Sequence, residues 1–192
     1  FDYDRDGLLD LFLCNVGVFT TEPRDEQGIY PPLKDAFAGH LKPAERNERG
    51  ILYRNLGDNR FADVTDQTGL VDNSWCGDAC PIDGNEDGWP DLYVLNMQGH
   101  DEYYENVRGE RFVKKSRERF VKTSWGAMGI QVFDFDNDGH MDIFITDMHS
   151  DMSAPIDVEN EKKKSKMTWT ESFLKSDGNS IFGNSFYRSL GD

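Results

Sequence analysis

Three short segments of the sequence carry aspartates at one shared spacing. The last of them, FDFDNDGHMDIF at 133–144, contains the pattern Asp-x-Asp-x-Asp-Gly-x-x-Asp. Carboxylates this close together disfavour one another's ionisation unless a cation lies between them. More than four hard oxygen ligands on a flexible loop suit Ca²⁺ better than Mg²⁺, which keeps several waters and requires an octahedron. The spacing therefore predicts a calcium-binding loop.

The same pattern occurs at 2–10, 83–91 and 134–142. Each copy offers four side chains and one main-chain carbonyl, which is given fourth in each set below. The predicted ligands of about three Ca²⁺ ions are Asp2, Asp4, Asp6, Leu8 and Asp10; Asp83, Asn85, Asp87, Trp89 and Asp91; and Asp134, Asp136, Asp138, His140 and Asp142.

These loops differ from EF-hand loops, which need a bidentate glutamate at the twelfth position, where the third copy has Ile145. An ordinary acidic turn is the alternative for a single copy, and three matching copies argue against it. Asn85 carries no charge, so we expect the second loop to bind calcium most weakly. His140 is expected to use its carbonyl, which leaves its imidazole in solvent.

The elements that position these loops are strands. Each loop leads into a nearly continuous apolar run, DLFLCN, DLYVLN or DIFITD, which indicates a strand buried on both faces. A second shared element, ILYRNLGDNRFADVT and EYYENVRGERFVKKS, reads as strand, glycine-containing turn and strand. Its tyrosines Tyr53 and Tyr104 lie 51 residues apart. A four-stranded antiparallel unit repeated at this length predicts an all-β fold built from propeller blades.

These features resemble the FG-GAP/VCBS repeat proteins, through the three loops and the element Asn-x-Gly-Asp-x-x-Phe-x-Asp-Val-Thr at 55–65. Within that group the chain is most similar to the cartilage acidic protein-like branch, whose members often end in an ASPIC/UnbV domain; this sequence contains no such segment. The resemblance implies a seven-bladed propeller like the head of the integrin α chain. It also implies that partners bind on the face opposite the calcium loops.

The repeat register predicts three blades. Residues 1–70 form a blade that lacks its first strand, 71–120 form a complete blade, and 121–192 form a blade that lacks its fourth strand. Because a propeller must close on itself to remove its sheet edges, we expect these blades to be part of a larger propeller.

Two insertions, near 20–49 and 151–183, separate the second and third strands of the first and third blades. Long loops in compact folds are usually functional or mobile. We therefore expect a protein or glycan partner to bind through the insertions. The expected contact residues are Tyr30, Arg46, Lys163 and Trp169.

The net charge of the chain and its predicted calcium sites restrict the kinds of partner and the cellular location that we expect. A formal net charge of -15 disfavours nucleic acid, which requires a basic face, and the sequence shows no membrane span. Extracellular calcium modules function with weak affinity, at Kd values of roughly 10⁻⁴ to 10⁻³ M. An extracellular, cell-surface or periplasmic location is therefore expected.

The sequence contains no nucleophile elbow, HExxH motif or phosphate-cradling loop, and the aspartates available for glycosidase chemistry lie in the calcium loops. We therefore expect no enzymatic activity and no catalytic residue, and a binding, adhesion or scaffold role with structural calcium. The alternatives are a structural subunit of a larger cell-surface or periplasmic assembly, and a propeller enzyme that acts on polysaccharide.

The three cysteines leave the disulfide state open. Cys76 and Cys80 can join only if the chain folds back between them, because an extended pair at this spacing is too far apart. The alternatives are pairing with Cys14 and free thiols.

Overall fold

A computed structural model describes residues 1–18, 20–32, 48–97, 99–148, 180–181 and 183–191. It confirms the predicted all-β class, with three antiparallel sheets and one short parallel pair. The strands are β1 (Leu11–Leu13), β2 (Ile51–Asn55), β3 (Phe61–Asp63), β4 (Cys76–Ile82), β5 (Asp91–Asn96), β6 (Glu102–Val107), β7 (Arg111–Lys114), β8 (Thr123–Ser124), β9 (Ala127–Phe133), β10 (Asp142–Asp147), β11 (Ser180–Ile181) and β12 (Ser185–Tyr187).

The three antiparallel sheets share one connectivity. The first sheet has the order β1-β2-β3, the second β4-β5-β6-β7 and the third β12-β10-β9, while β8 and β11 form the parallel pair. Tyr53 faces Leu11 in the first sheet, Tyr104 faces Leu92 in the second and Tyr187 faces Ile143 in the third. The strand that follows each acidic loop therefore lies beside the tyrosine-bearing strand in all three sheets.

Each acidic loop joins two paired chain segments. Ile82 faces Asp91 in the second sheet, and Phe133 faces Asp142 in the third. Phe1 and Asp10 exchange the corresponding backbone hydrogen bonds, of 2.7 and 3.3 Å. The first loop is thus held at its base in the same manner as the other two.

The core lies between the sheets. All six residues of β5 are buried, as its continuous apolar sequence predicts, and alternate side chains point to opposite faces. Leu92 and Val94 pack with Leu52 of the first sheet. Tyr93 and Leu95 pack in a second cluster with residues of the third sheet, which include Ile143. The three sheets therefore stack face to face around two apolar layers.

Two four-residue helices that the sequence analysis did not predict follow the last strands of the first two sheets. They are α1 (Thr65–Thr68) and α2 (Ser116–Arg119). The hydroxyls of their first residues accept hydrogen bonds of 2.9 Å from the backbone N–H groups of Leu52 and Tyr103. The Asp-Val-Thr end of the repeat element therefore has a structural role, since Thr65 supplies an acceptor to the N–H of Leu52, the buried residue of β2.

The three thiols are free in the structure. Cys76 and Cys80 both lie in β4, which runs extended apart from a bulge after Cys76, so the bridge between them is not formed. A hydrogen bond with Cys14, together with burial, raises the pKa of the Cys76 thiol far above its ordinary value. Among the described residues, no helix is long and apolar enough to cross a membrane.

Candidate metal sites

The first aspartate of each loop organises the backbone in the same way. Its Oδ1 accepts the N–H of the fifth loop residue at 3.1 Å, and its Oδ2 accepts the N–H of the glycine at 2.9 Å, in all three loops. The fifth residue in turn accepts the N–H of the seventh at 2.9 Å in every loop. These first aspartates are Asp2, Asp83 and Asp134. The equal spacing of the aspartates therefore produces three loops with the same hydrogen bonds.

The loop glycines are required by the backbone. Gly7, Gly88 and Gly139 have φ angles of +89°, +86° and +93°, which L side chains rarely adopt. A Cβ added at Gly7 or Gly139 would meet nothing within 4 Å, so the backbone conformation, and not a lack of space, selects glycine there.

The last aspartate of each loop connects the loop to the neighbouring strand. Asp10, Asp91 and Asp142 are each no more than 1% exposed. Their Oδ2 atoms accept a backbone N–H from the second loop residue at 3.0 to 3.1 Å. Their Oδ1 atoms accept the N–H of Asn55, Asn106 and Ser189 at 2.8, 2.7 and 2.8 Å respectively. Each of these carboxylates therefore links its loop to the next strand segment of the same sheet.

In each of two loops, three carboxylates lie close enough together to bind one metal ion. One oxygen each from Asp2, Asp4 and Asp10 lie within 4.8 Å of one another, and so do oxygens of Asp134, Asp136 and Asp138. An all-carboxylate donor set fits a hard cation such as Ca²⁺. A carboxylate has about four lone-pair sites, so the hydrogen bonds to the backbone leave acceptor capacity. The residues present in these two loops fit the predicted ion.

The second loop is built differently at two positions. Asn85 replaces a carboxylate and donates through Nδ2 to Asp87 Oδ2 at 3.1 Å. Asp91 Oδ2 accepts a short hydrogen bond from the Tyr103 hydroxyl in addition to the N–H of Gly84, and burial raises the pKa of Asp91 to about 6. Within the described ranges, no three acidic, His or Cys side chains of this loop have ligand atoms that all lie within 4.8 Å of one another.

Neighbouring loops contact each other through equivalent positions. The guanidinium of Arg5, the fourth residue of the first loop, lies 5.2 Å from the Trp89 ring centroid, where Trp89 is the seventh residue of the second loop. A short hydrogen bond joins Glu86 Oε1 to Nδ1 of His140. Glu86 is the fourth residue of the second loop, and His140 is the seventh residue of the third loop. The His140 side chain is 32% exposed to solvent, and it also pairs with Glu86, which raises its pKa. Sequence reasoning missed these contacts. The signal that could have identified them is that the contacting residues always occupy the fourth position of one loop and the seventh position of the next.

Two arginines that the sequence analysis did not single out also contact loop carboxylates. Arg54 reaches Asp4 and Asp6, and Arg188 reaches Asp136 and Asp138. The signal that would have identified them is their shared position, one residue after the repeated tyrosine.

Of the expected partner contacts, the structure describes only Tyr30. This residue is 46% exposed, and the Arg24 guanidinium lies 4.9 Å from the centroid of its ring. Arg46, Lys163 and Trp169 lie outside the described residues, as do 33–47 and 149–179 of the two insertion regions.

Stacked antiparallel sheets with one recurring acidic loop define a β-rich repeat protein. Residues 83–145 match the model of the FG-GAP-like repeat family. The matched segment begins at the first aspartate of the second loop and ends within β10, after the third loop. The chain therefore contains an FG-GAP-like repeat, and the predicted family resemblance is confirmed for this segment. No curated protein matches the chain.

Proposed function

We propose that the protein is a calcium-binding β-propeller repeat module of the extracellular space, cell surface or periplasm. In this proposal calcium is structural and the insertions contact a protein or glycan partner. The observation that carries it is the common hydrogen-bond pattern of the loops at 2–10, 83–91 and 134–142. Three copies of one backbone arrangement, two of which bring three carboxylates within 4.8 Å of one another, support a shared ligand.

The carboxylates of the first loop would hold the ion through Asp2, Asp4, Asp6 and Asp10, with the carbonyl of Leu8. The third loop would use its matching residues, and the second would use Asn85 in place of a carboxylate. A divalent ion neutralises charges that otherwise repel. Asp10 also accepts the N–H of Asn55, so an ion held by Asp10 strengthens the connection between the loop and β2.

Calcium titration by calorimetry, with the melting temperature measured in Ca²⁺ and in EGTA, tests this proposal. The third residue of the loop suits substitution because Asp136 has no role in the backbone hydrogen bonds described above, and Asp4 accepts only a long one, from the N–H of Asp6 at 3.3 Å. We expect Asp4→Ala and Asp136→Ala each to abolish one binding event. Calcium at a hundredfold excess over Kd should stabilise the wild type by about 2.7 kcal/mol per site.

The control for these variants is Asp58→Ala, since the Asp58 side chain is 93% exposed and lies outside the loops. This variant should bind calcium as the wild type does. A wild type that takes up no calcium, or loop variants that bind it unchanged, would refute the proposal.

The partner proposal rests on strand direction. The loops connect first and second strands, whereas the insertions connect second and third strands, and in an antiparallel sheet these connections lie at opposite ends. The inter-loop contacts of Arg5 with Trp89 and of Glu86 with His140 support one common face for the loops. Partners would then bind on the other face, near the exposed Tyr30.

A further inference from the structure

Two basic side chains occupy matching positions beside the acidic loops. Arg54 precedes Asn55, and Arg188 precedes Ser189. Because Asn55 and Ser189 donate equivalent hydrogen bonds to the last aspartates of their loops, both arginines approach their loops from the same direction. The second sheet has Glu105 at this position.

Each guanidinium contacts the third and fifth residues of its loop. Arg54 Nε lies 2.7 Å from Asp4 Oδ2, and Arg54 Nη2 lies 3.1 Å from Asp6 Oδ2. Arg188 Nη2 lies 2.8 Å from Asp136 Oδ2 and 3.4 Å from Asp138 Oδ2. Asp4, Asp136 and Asp138 belong to the two groups of carboxylates that have metal-sized spacing. The arginines therefore pair with carboxylates that a cation would need.

These pairings are suited to displacement. Arg54 Nε is buried, yet it makes no hydrogen bond of good geometry with the residues that the structure describes, so charge alone holds it against Asp4. The side chains of Arg54 and Arg188 are 41% and 53% exposed, which leaves each a route into solvent. The partner carboxylates are 12% to 31% exposed, so solvent partly screens these ion pairs.

We propose that Arg54 and Arg188 are internal counter-ions of the first and third loops, which a divalent cation must displace in order to bind. This inference rests on the calcium function proposed above and concerns the regulation of the same sites. The arginines neutralise part of the loop charge in the metal-free protein and lower its affinity for calcium. The second loop lacks this competition because Glu105 is negative and lies 3.5 Å from Arg119 Nη2.

The test compares Arg54→Gln and Arg188→Gln with the matched control Arg49→Gln. Arg49 pairs with Asp63 and Asp66, outside the loops, and its replacement removes the same charge. In calcium titrations we expect each loop variant to tighten one binding event by roughly threefold to tenfold, and Arg49→Gln to leave affinity within about twofold of the wild type. In EGTA, the melting temperatures of both loop variants should fall below that of the wild type.

The two loop variants should therefore bind calcium more tightly but be less stable without it. Loss of a purely structural arginine would not produce these two opposite effects. Arg54→Lys, which keeps the charge, should restore affinity toward the wild-type value. If the wild type binds calcium and the two loop variants bind it no more tightly than Arg49→Gln does, this inference is overturned and the calcium function stands. If the wild type takes up no calcium, both are overturned.

Discussion

At the scale of single residues, buried carboxylates in this protein serve as acceptors for backbone and hydroxyl groups. Asp101 is 1% exposed; its Oδ1 accepts the N–H of Asn96 at 2.9 Å and its Oδ2 accepts the Tyr93 hydroxyl at 3.2 Å. Burial raises the pKa of Asp101 well above its ordinary value, although both hydrogen bonds lower it. Nearby Asp147 and Glu102 raise it further. Such a group stabilises the fold most when it is protonated.

The pH dependence of stability tests this assignment. Because the folded-state pKa of Asp101 lies above the unfolded-state value, the folded protein binds more protons, and its stability falls as pH rises above about 4. Asp101→Asn removes this contribution and keeps an amide that can donate to the Tyr93 oxygen. We expect the stability of the variant relative to the wild type to increase by up to about 1.4 kcal/mol per pH unit in that window.

Urea unfolding in EGTA between pH 4 and 7 measures this difference, with the exposed Asp58→Asn as the control. A constant difference between Asp101→Asn and the wild type across this range would contradict the raised pKa.

At the scale of elements, the turn between β6 and β7 locks the second sheet against the first loop. The Asn106 side chain donates to the Tyr3 carbonyl at 2.8 Å, and a Cβ at Gly109 would lie 2.8 Å from the Asp4 Cα. The corresponding turn of the first sheet contains Gly57, where a Cβ would meet nothing within 4 Å. Both glycines donate to an asparagine side chain, which lies two residues before Gly57 and three residues before Gly109.

Substitution of the two glycines separates backbone strain from the contact between sheets. Gly57 and Gly109 have φ angles of +76° and +73°, so alanine should cost each turn a similar strain of about 1 kcal/mol. Gly109→Ala also forces the turn away from a backbone atom of the first loop, which should add roughly 1–3 kcal/mol. Chemical denaturation of both variants measures the difference. Equal losses would mean that the turn and the loop do not pack against each other.

At the scale of the whole molecule, calcium sites and partner sites should be separable. The predicted insertion at 151–183 includes β11, which pairs with β8 through Ser180 and Thr123, and Ile181 accepts the N–H of Trp125 at 2.9 Å. The end of that insertion therefore pairs with the segment that leads into β9, and a clean deletion must spare it.

Replacement of 151–177 by a short Gly-Ser linker should leave the calcium titration and the melting temperature close to wild type. The physical reason is that the loop carboxylates and the β-sheet hydrogen bonds described here all lie outside that segment. A large loss of stability, or of calcium affinity at the third loop, would show that the insertion belongs to the scaffold.

The local conformation of the acidic loops could be predicted from the sequence because the hydrogen bonds within each loop connect residues only two to seven positions apart. Asp2 to Gly7 is one such pair, and the same spacing repeats in the other loops. The strands were predictable for a similar reason: β5 is a nearly continuous apolar run, and burial on both faces requires such a run.

Only the tertiary structure decided which distant groups meet these loops. Asp10 bonds to Asn55, Arg54 pairs with Asp4, and Glu86 pairs with His140, over separations that no local pattern specifies. The charge at Arg54, Glu105 or Arg188 has no evident role in the sequence, since each is one more charged residue within a strand or directly after one. It acquires one when β-sheet pairing places that residue beside a loop, because the energy of an ion pair depends on distance in space and not on separation along the chain.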